Sequence, residues 1–186
     1  MVVVVIVLAV AVVVVAWGLL SYNRFVRQRQ LIDNAWSNVD TELKRRYELI
    51  PNVVATVKGY AAHERDTLEA VVKARAAAVA VTGDAEAQAK QENVLVDALK
   101  QLLALREAYP DLKANEQFLD LQAQLVTTED RIQAARRLYN ANVRDYNTRV
   151  ESFPSALIAG IGKFSKAEWF ELEPAIRDAD APEVRL

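Results

Sequence analysis

The most uniform pattern in the chain is an apolar run at its start. From Val2 to Leu20 there is no charged or strongly polar side chain, and ten of these nineteen residues are valine. As a helix the run would measure roughly 28 Å at about 1.5 Å per residue, close to the roughly 30 Å hydrocarbon core of a bilayer. We therefore predict that residues 2–20 form one transmembrane helix in contact with membrane lipid.

The residues on either side of this run indicate whether it is cleaved as a signal peptide and how it is oriented in the membrane. A cleaved signal peptide needs a basic n-region and a small-x-small cleavage site, and the sequence shows neither, so we interpret the run as a retained anchor. Three arginines and no acidic residue follow it directly. The positive-inside rule then predicts a single crossing, with the N-terminus outside and the C-terminal portion in the cytoplasm. These arginines are Arg24, Arg27 and Arg29.

Behind the anchor, apolar residues recur with a helical period of about 3.5 to 3.6. The repeat continues from Ile32 to Ala78 and predicts one long helix. Pro51 removes one amide donor inside it, but the apolar phase is the same on both sides, so we expect a kink near Ile50 rather than a break. The repeat consists of Ile32, Trp36, Val39, Leu43, Ile50, Val53, Val57, Tyr60, Val71, Ala74 and Ala78.

A second long helix is indicated over about residues 85–108. Residues 82–84, Thr-Gly-Asp, predict a turn before it, in which Gly83 ends one helix and Asp84 caps the next. Pro110 ends the second helix, because the residue before proline avoids the α-helical region. A short connection follows.

The third long helix has the clearest seam. Asn115 is placed to cap it, it extends over about residues 118–150, and Pro154 ends it. Residues 165–168, Ser-Lys-Ala-Glu, form a capping box that predicts one further turn of helix through Phe170. The seam, of the narrow coiled-coil kind, contains Phe118, Leu121, Leu125, Thr128, Ile132, Ala135, Tyr139, Asn142 and Tyr146.

These elements predict an all-α fold. An N-terminal transmembrane helix is followed by an antiparallel up-and-down bundle of three long helices plus a short C-terminal helix, or by a four-helix bundle if Pro51 breaks the first. The predicted divisions are a transmembrane anchor (1–20), a juxtamembrane basic helical connector (21–30), a helical bundle (31–170) and a flexible C-terminal tail (171–186).

Composition narrows the classes of function. The 186 residues include 23 basic and 25 acidic side chains, with a net charge of -2. The two signs are interspersed and form no basic stripe, so we predict no nucleic-acid partner. Cysteine is absent, which excludes disulfides and thiolate metal sites.

The chain contains a series of short motifs between residues 22 and 154. They are Tyr22-Asn23, Asn34-Ala35-Trp36-Ser37, Leu43-Lys44-Arg45-Arg46, Leu49-Ile50-Pro51-Asn52, Val57-Lys58-Gly59-Tyr60, His63-Glu64, Ala74-Arg75, Tyr109 to Asn115, Glu129, Arg137-Leu138-Tyr139-Asn140, Tyr146-Asn147 and Phe153-Pro154. In this order the motifs resemble the LemA family of bacterial membrane proteins. The resemblance implies a single N-terminal anchor in the inner membrane and a cytoplasmic helical bundle. It implies no catalytic residue and no cofactor, because the family has no agreed biochemical function.

Two Tyr-Asn pairs on the third helix are candidate interaction positions. They are seven residues apart, which is two helical turns, so both face the same way. The structural interpretation is that the tyrosines fill the seam while the polar groups satisfy one another or the backbone at Pro51. The functional interpretation is a polar recognition patch for a protein partner. The positions are Tyr139, Asn140, Asn142, Tyr146 and Asn147.

Glu64 and Arg75 are candidate polar positions near the apolar stripe. They are eleven residues apart, about three helical turns, and so share a face. We expect them to form buried or half-buried ion pairs with charges on neighbouring helices, such as Arg46, Arg137 or Glu129.

Other motifs predict no catalytic, cofactor or metal site. His63-Glu64 begins like a His-Glu-x-x-His zinc motif, but Thr67 stands at the fifth position and the chain has a single histidine. Residues 160–163, Gly-Ile-Gly-Lys, lack the spacing of a phosphate-binding loop, and we interpret them as a mobile hinge.

Three functions stay open. The first is a non-enzymatic, membrane-anchored scaffold or interaction module that binds another protein or a second copy of itself. The second is a membrane-associated enzyme or cofactor carrier that uses polar residues of the bundle core. The third is lipid or membrane-shape organisation through an amphipathic segment around Trp169 and Phe170.

Overall fold

The computed structural model describes residues 1–81 and 85–172. These residues form six α-helices and no strand, which confirms the all-α fold. The predicted turn at 82–84 and the predicted tail from residue 173 onward lie outside the described residues. The helices are α1 (Val2–Tyr60), α2 (Arg65–Ala80), α3 (Ala85–Ala104), α4 (Pro110–Lys113), α5 (Glu116–Glu151) and α6 (Ser155–Ile161), and a 3-10 turn, Leu105–Glu107, follows α3.

Helix α1 continues through Pro51, as expected, but it ends earlier than the repeat predicts. The interruption covers residues 61–64, and the prediction of one helix as far as Ala78 is wrong. Neither glycine nor proline occupies these positions, although Gly59 lies in the last turn of α1. Distant side chains hold the two ends. Asn115 Nδ2 donates to Tyr60 Oη at 2.9 Å, and Tyr109 Oη donates to Glu64 Oε1 at 2.9 Å.

The chain divides into two compact units whose boundaries fall inside α1 and α5. We call Met1–Trp36 with Leu138–Ala167 the anchor unit, and the described residues of Ser37–Arg137 with residues 168–172 the bundle unit. Each is described by itself.

The bundle unit packs four helical segments: α1 from Ser37, α2, α3, and α5 as far as Arg137. Along each pair of neighbouring segments, a later residue of one segment contacts an earlier residue of the other. Neighbouring segments therefore run antiparallel. The break at 61–64, rather than Pro51, produces the fourth segment. The contacts that set these directions are Arg46 with Glu129, Tyr60 with Asn115, Tyr47 with Arg75, and Ala78 with Gln88.

The connection between α3 and α5 contains one turn of helix that the sequence did not predict. Pro110 begins α4, where its missing amide removes no intrahelical hydrogen bond. Asn115 then caps α5 as predicted, since the Phe118 N–H donates to Asn115 Oδ1 at 2.8 Å. The apolar core of the unit includes Leu43, Ile50, Val53, Val57, Leu95, Leu99, Leu102 and Leu125, all almost fully buried.

The anchor unit pairs α1 with the C-terminal part of α5 through aromatic rings. Phe25 meets Tyr146 edge-on with ring centroids 6.1 Å apart, and Trp36 lies 5.2 Å from Tyr139. Asn142 Nδ2 donates to the Leu31 carbonyl at 3.3 Å. The rising and falling residue numbers again show antiparallel packing.

The short C-terminal helix lies earlier in the chain than the capping box predicts. Residues 155–161 form α6, and residues 165–170 are not helical, so the prediction of a helix through Phe170 is wrong. Asn147 holds the backbone there: its Nδ2 donates to the Ala167 carbonyl and its Oδ1 accepts from the Ala167 N–H, each at 2.9 Å. Phe170 is fully buried, which also removes the expected amphipathic segment around Trp169.

Residues 160–163 contain the C-terminal end of α6, and their interpretation as a mobile hinge stays a prediction. The Gly162 N–H donates to the Ile158 carbonyl at 2.8 Å, and Lys163 takes a left-handed φ of 53°. A Cβ on Gly162 would lie 2.5 Å from the Phe164 ring, so glycine permits this close approach.

Residues 2–20 of α1 are all exposed except Gly18, which is half-buried. Among the described residues, α1 contains the one stretch long and apolar enough to cross a membrane, with a mean hydropathy of 3.2 and no buried residue.

Candidate functional site

A buried polar cluster links three helices of the bundle unit. Arg46 on α1 is fully buried, in phase with the apolar positions Leu43 and Ile50. Its Nη1 donates to Glu129 Oε2 on α5 at 2.7 Å, and its Nη2 donates to Glu92 Oε2 on α3. One guanidinium therefore bridges two carboxylates from two other helices.

A second layer of side chains satisfies the remaining carboxylate oxygens. Tyr47 Oη donates to Glu92 Oε1, and Gln88 Nε2 donates to the same oxygen at 2.7 Å. Gln88 Nε2 also lies 3.1 Å from the Ala78 carbonyl oxygen, while Gln133 Nε2 donates to Glu129 Oε1 at 3.0 Å. Every carboxylate oxygen of the cluster thus accepts at least one hydrogen bond.

The electrostatics of the cluster favour a fixed arrangement. Burial, the Glu92 charge and the hydrogen bond to Glu92 raise the pKa of Tyr47 well above its usual range, so the phenol stays protonated and can donate. A helix that slipped by one position would leave a buried charge without its partner, which costs more than the pair contributes to stability. The cluster therefore specifies the register of α1, α3 and α5.

Arg75 repairs the backbone defect that Pro51 creates. Pro51 has no N–H, so the carbonyl of Tyr47, four residues earlier, loses its helical donor. Arg75 Nε on α2 donates to that carbonyl at 2.7 Å. The expectation that the Tyr-Asn pairs satisfy the Pro51 region is therefore wrong, because a cation from a neighbouring helix does so.

Glu64 and Arg75 have other partners than the expected ion pairs. Arg75 bonds a backbone carbonyl, and Glu64 accepts from the Tyr109 hydroxyl. This hydrogen bond raises the pKa of Tyr109. Two of the proposed partners, Arg46 and Glu129, pair with each other instead.

The five Tyr-Asn positions belong to the anchor unit rather than to this cluster. Tyr139 and Tyr146 pack against rings of α1, and burial raises the pKa of Tyr146. Asn142 and Asn147 bond backbone groups, whereas Asn140 is half-buried on the same helix. The structure thus assigns ring packing to the two tyrosines and backbone contacts to Asn142 and Asn147, and a recognition role for the five positions stays a prediction.

The sequence model of the LemA family matches residues 35–186. The chain belongs to the LemA family. This confirms the resemblance drawn from the motifs.

Individual relatives of this LemA-family chain include two magnetosome proteins. MamQ 1 and MamQ 2 of Paramagnetospirillum magneticum are each 27% identical to it over 186 residues, covering 87% of this chain and 68% of theirs. Protein LemA of Metamycoplasma hominis is 26% identical over 165 residues, covering 88% of this chain and 75% of its own.

The cluster residues that sequence reasoning missed do carry a signal. Gln88 and Glu92 are four residues apart on α3 and occupy the same buried face as Ala85, Ala89 and Val96. Polar residues at positions of an apolar phase indicate internal partners, because a buried polar group without one is costly. The partners themselves lie on other helices.

The cluster offers little for catalysis. Its acids, cation and phenol are enclosed and hydrogen-bonded to one another, so none presents a free acid or base to solvent. Within residues 1–81 and 85–172, no three His, Cys, Asp or Glu side chains are grouped so as to hold a metal ion. The geometry of the LemA-family bundle fits a structural cluster.

We predict that Arg75 and Pro51 are energetically coupled. Arg75→Leu should lower the free energy of unfolding by about 1 to 3 kcal/mol, since it leaves the Tyr47 carbonyl unpaired. In a Pro51→Ala background the new amide of residue 51 can donate to the Tyr47 carbonyl. There Arg75→Leu should lower the free energy of unfolding by at least about 1 kcal/mol less than it does in the wild-type chain. Urea unfolding of the full chain in detergent micelles, followed by circular dichroism, measures both. Equal costs would contradict the assignment.

We also predict an order of sensitivity within the cluster. Glu129→Gln should lower the free energy of unfolding by about 1 kcal/mol or less. The amide oxygen can still accept from Gln133, and the charges of Arg46 and Glu92 still balance each other. Glu92→Gln should cost about 1 to 3 kcal/mol, since Glu92 accepts from three side chains. Arg46→Met should cost about 3 to 5 kcal/mol, because it leaves two buried carboxylates. Thermal unfolding by circular dichroism gives the ranking, and a reversed order would refute it.

Proposed function

We propose that this LemA-family chain is a membrane-anchored, non-enzymatic scaffold of the bacterial inner membrane. The proposal rests mainly on one observation: at the start of α1 the apolar side chains of residues 2–20 are exposed along the whole run. An exposed apolar surface of this extent is typical of a segment that contacts lipid.

The charges after the apolar run support an orientation. Arg24, Arg27 and Arg29 are all exposed on the turns of α1 that follow Leu20. Basic residues beside a membrane span are retained on the cytoplasmic side. The helical bundle would then stand in the cytoplasm and the N-terminus outside.

The closed polar cluster and the family comparison support a scaffold over an enzyme. The carboxylates of the cluster are buried and engaged with Arg46, so this cluster presents no reactive group to solvent among the described residues. Two relatives are named as magnetosome proteins, and neither name denotes an enzymatic activity. The partner we propose is another protein or a second copy of the chain, and the mixed charge speaks against nucleic acid.

The anchor predicts how the chain resists extraction. The full chain should stay in the membrane pellet after high-salt and alkaline washes. Val10→Lys with Val13→Lys should release it, because each charge near the centre of a span costs about 2.5 to 3.5 kcal/mol. The matched control is Val72→Lys with Val79→Lys, which places the same charges on half-exposed positions of α2. Equal extraction of both double variants would refute the anchor.

The scaffold proposal predicts that cluster carboxylates are dispensable for function. In a strain lacking the gene, Glu129→Gln should restore the wild-type phenotype at equal protein abundance, as should the exposed control Glu116→Gln. A chain without residues 2–20 should fail to restore it. Loss of rescue by Glu129→Gln at unchanged abundance and thermal midpoint would favour the alternative of an enzyme or cofactor carrier.

A further inference from the structure

Helix α6 exposes large apolar side chains beside the anchor. Leu157 and Ile161, four residues apart on one face of α6, are 58% and 80% exposed, and Phe153 in the preceding turn is 82% exposed. The other side of the helix is packed, with Ala159 buried. Three neighbouring apolar groups left open in this way indicate an interaction surface.

The position of α6 is set by contacts with α1 inside the anchor unit. Ile158 Cδ1 lies 3.7 Å from the place a Cβ would occupy on Gly18. The segment after α6 is held by Phe164, which stacks on Phe25 with ring centroids 4.8 Å apart and meets Tyr22 at 5.3 Å. Helix α6 therefore lies next to the end of the apolar run, where lipid contact gives way to the first arginine.

Cationic groups occupy the same end of the anchor unit. Lys163 follows α6 directly and is exposed, as is Arg24. Arg149 lies near Arg24, and its Nε is buried without a hydrogen-bond partner among the residues that the structure describes. Burial together with the Arg24 charge lowers the pKa of Arg149. An apolar face bordered by cations is the arrangement of helices that lie in the headgroup region of a bilayer.

We infer that α6 is a second membrane contact, lying in the interface of the leaflet that the anchor leaves, with Phe153, Leu157 and Ile161 in lipid. The inference rests on the proposed anchor. Continuity supports lipid as the occupant, because Leu19 and Leu20, which end the apolar run, are themselves 63% and 70% exposed. Exposed apolar side chains thus lie both on α6 and on the end of the run that α6 contacts at Gly18.

The test uses single nitroxide labels, which the absence of native cysteine makes unambiguous. Leu157→Cys and Ile161→Cys are labelled in the full chain, reconstituted in vesicles of mixed neutral and anionic phospholipid. The matched control is Leu138→Cys, which is 52% exposed on α5 of the same unit and lies about 20 Å along that helix from its C-terminal end. Val10→Cys reports on the anchor, and circular dichroism checks the helix content of each variant.

Collision rates with oxygen and with a water-soluble nickel chelate decide the outcome. We expect the α6 labels to collide more with oxygen and less with nickel than the Leu138 label, at a depth of about 5 to 10 Å. Nickel collisions equal to those at Leu138 would overturn the inference. Low collision rates with both reagents would also overturn it, because they would indicate a second copy of the chain on this face.

The Val10 label separates this inference from the anchor proposal. Shielding at Val10 together with exposed α6 labels would reject the interfacial helix alone. Nickel access at Val10 would reject the anchor and the interfacial helix together.

Discussion

The arrangement of the bundle unit depends on one guanidinium held between two carboxylates. Arg46 meets Glu92 and Glu129 where all three side chains are buried, and each of the three groups comes from a different helix. The pairs need not contribute net stability, since desolvation of three charges offsets much of their attraction. Their effect is selective: other registers of α1, α3 and α5 would leave a charge buried without a partner.

Pro51 shows how the same unit compensates a local defect. A proline inside a helix usually kinks or ends it, because one carbonyl loses its donor. Here a cation on α2 supplies that donor, and α1 continues to Tyr60. The real end of the helix lies beyond it, where Tyr109 and Asn115 bond the residues on either side of the interruption. In both places a side chain distant in sequence decides what the backbone does.

Much of the fold and little of the polar cluster could be predicted from the sequence. The apolar period identified most helical positions. The Asn115 cap could be predicted because its partner, the Phe118 N–H, is only three residues away in the sequence. The helix predicted from the capping box at residues 165–168 does not form. The N–H and the carbonyl of Ala167 are instead hydrogen-bonded to the side-chain amide of Asn147. Of the cluster, the sequence suggested Arg46 and Glu129 as charged partners but indicated neither Glu92 nor their mutual pairing.

The sequence alone determined the all-α class, the family and the apolar run of residues 2–20, because composition, period and motif are local properties. Only the tertiary structure decided where α1 ends, which groups surround Arg46, and that α6 lies beside Gly18 with its apolar face open. The reason is physical. Hydrogen bonds, ion pairs and ring contacts depend on distances in space, and side chains many residues apart meet only once the helices have packed.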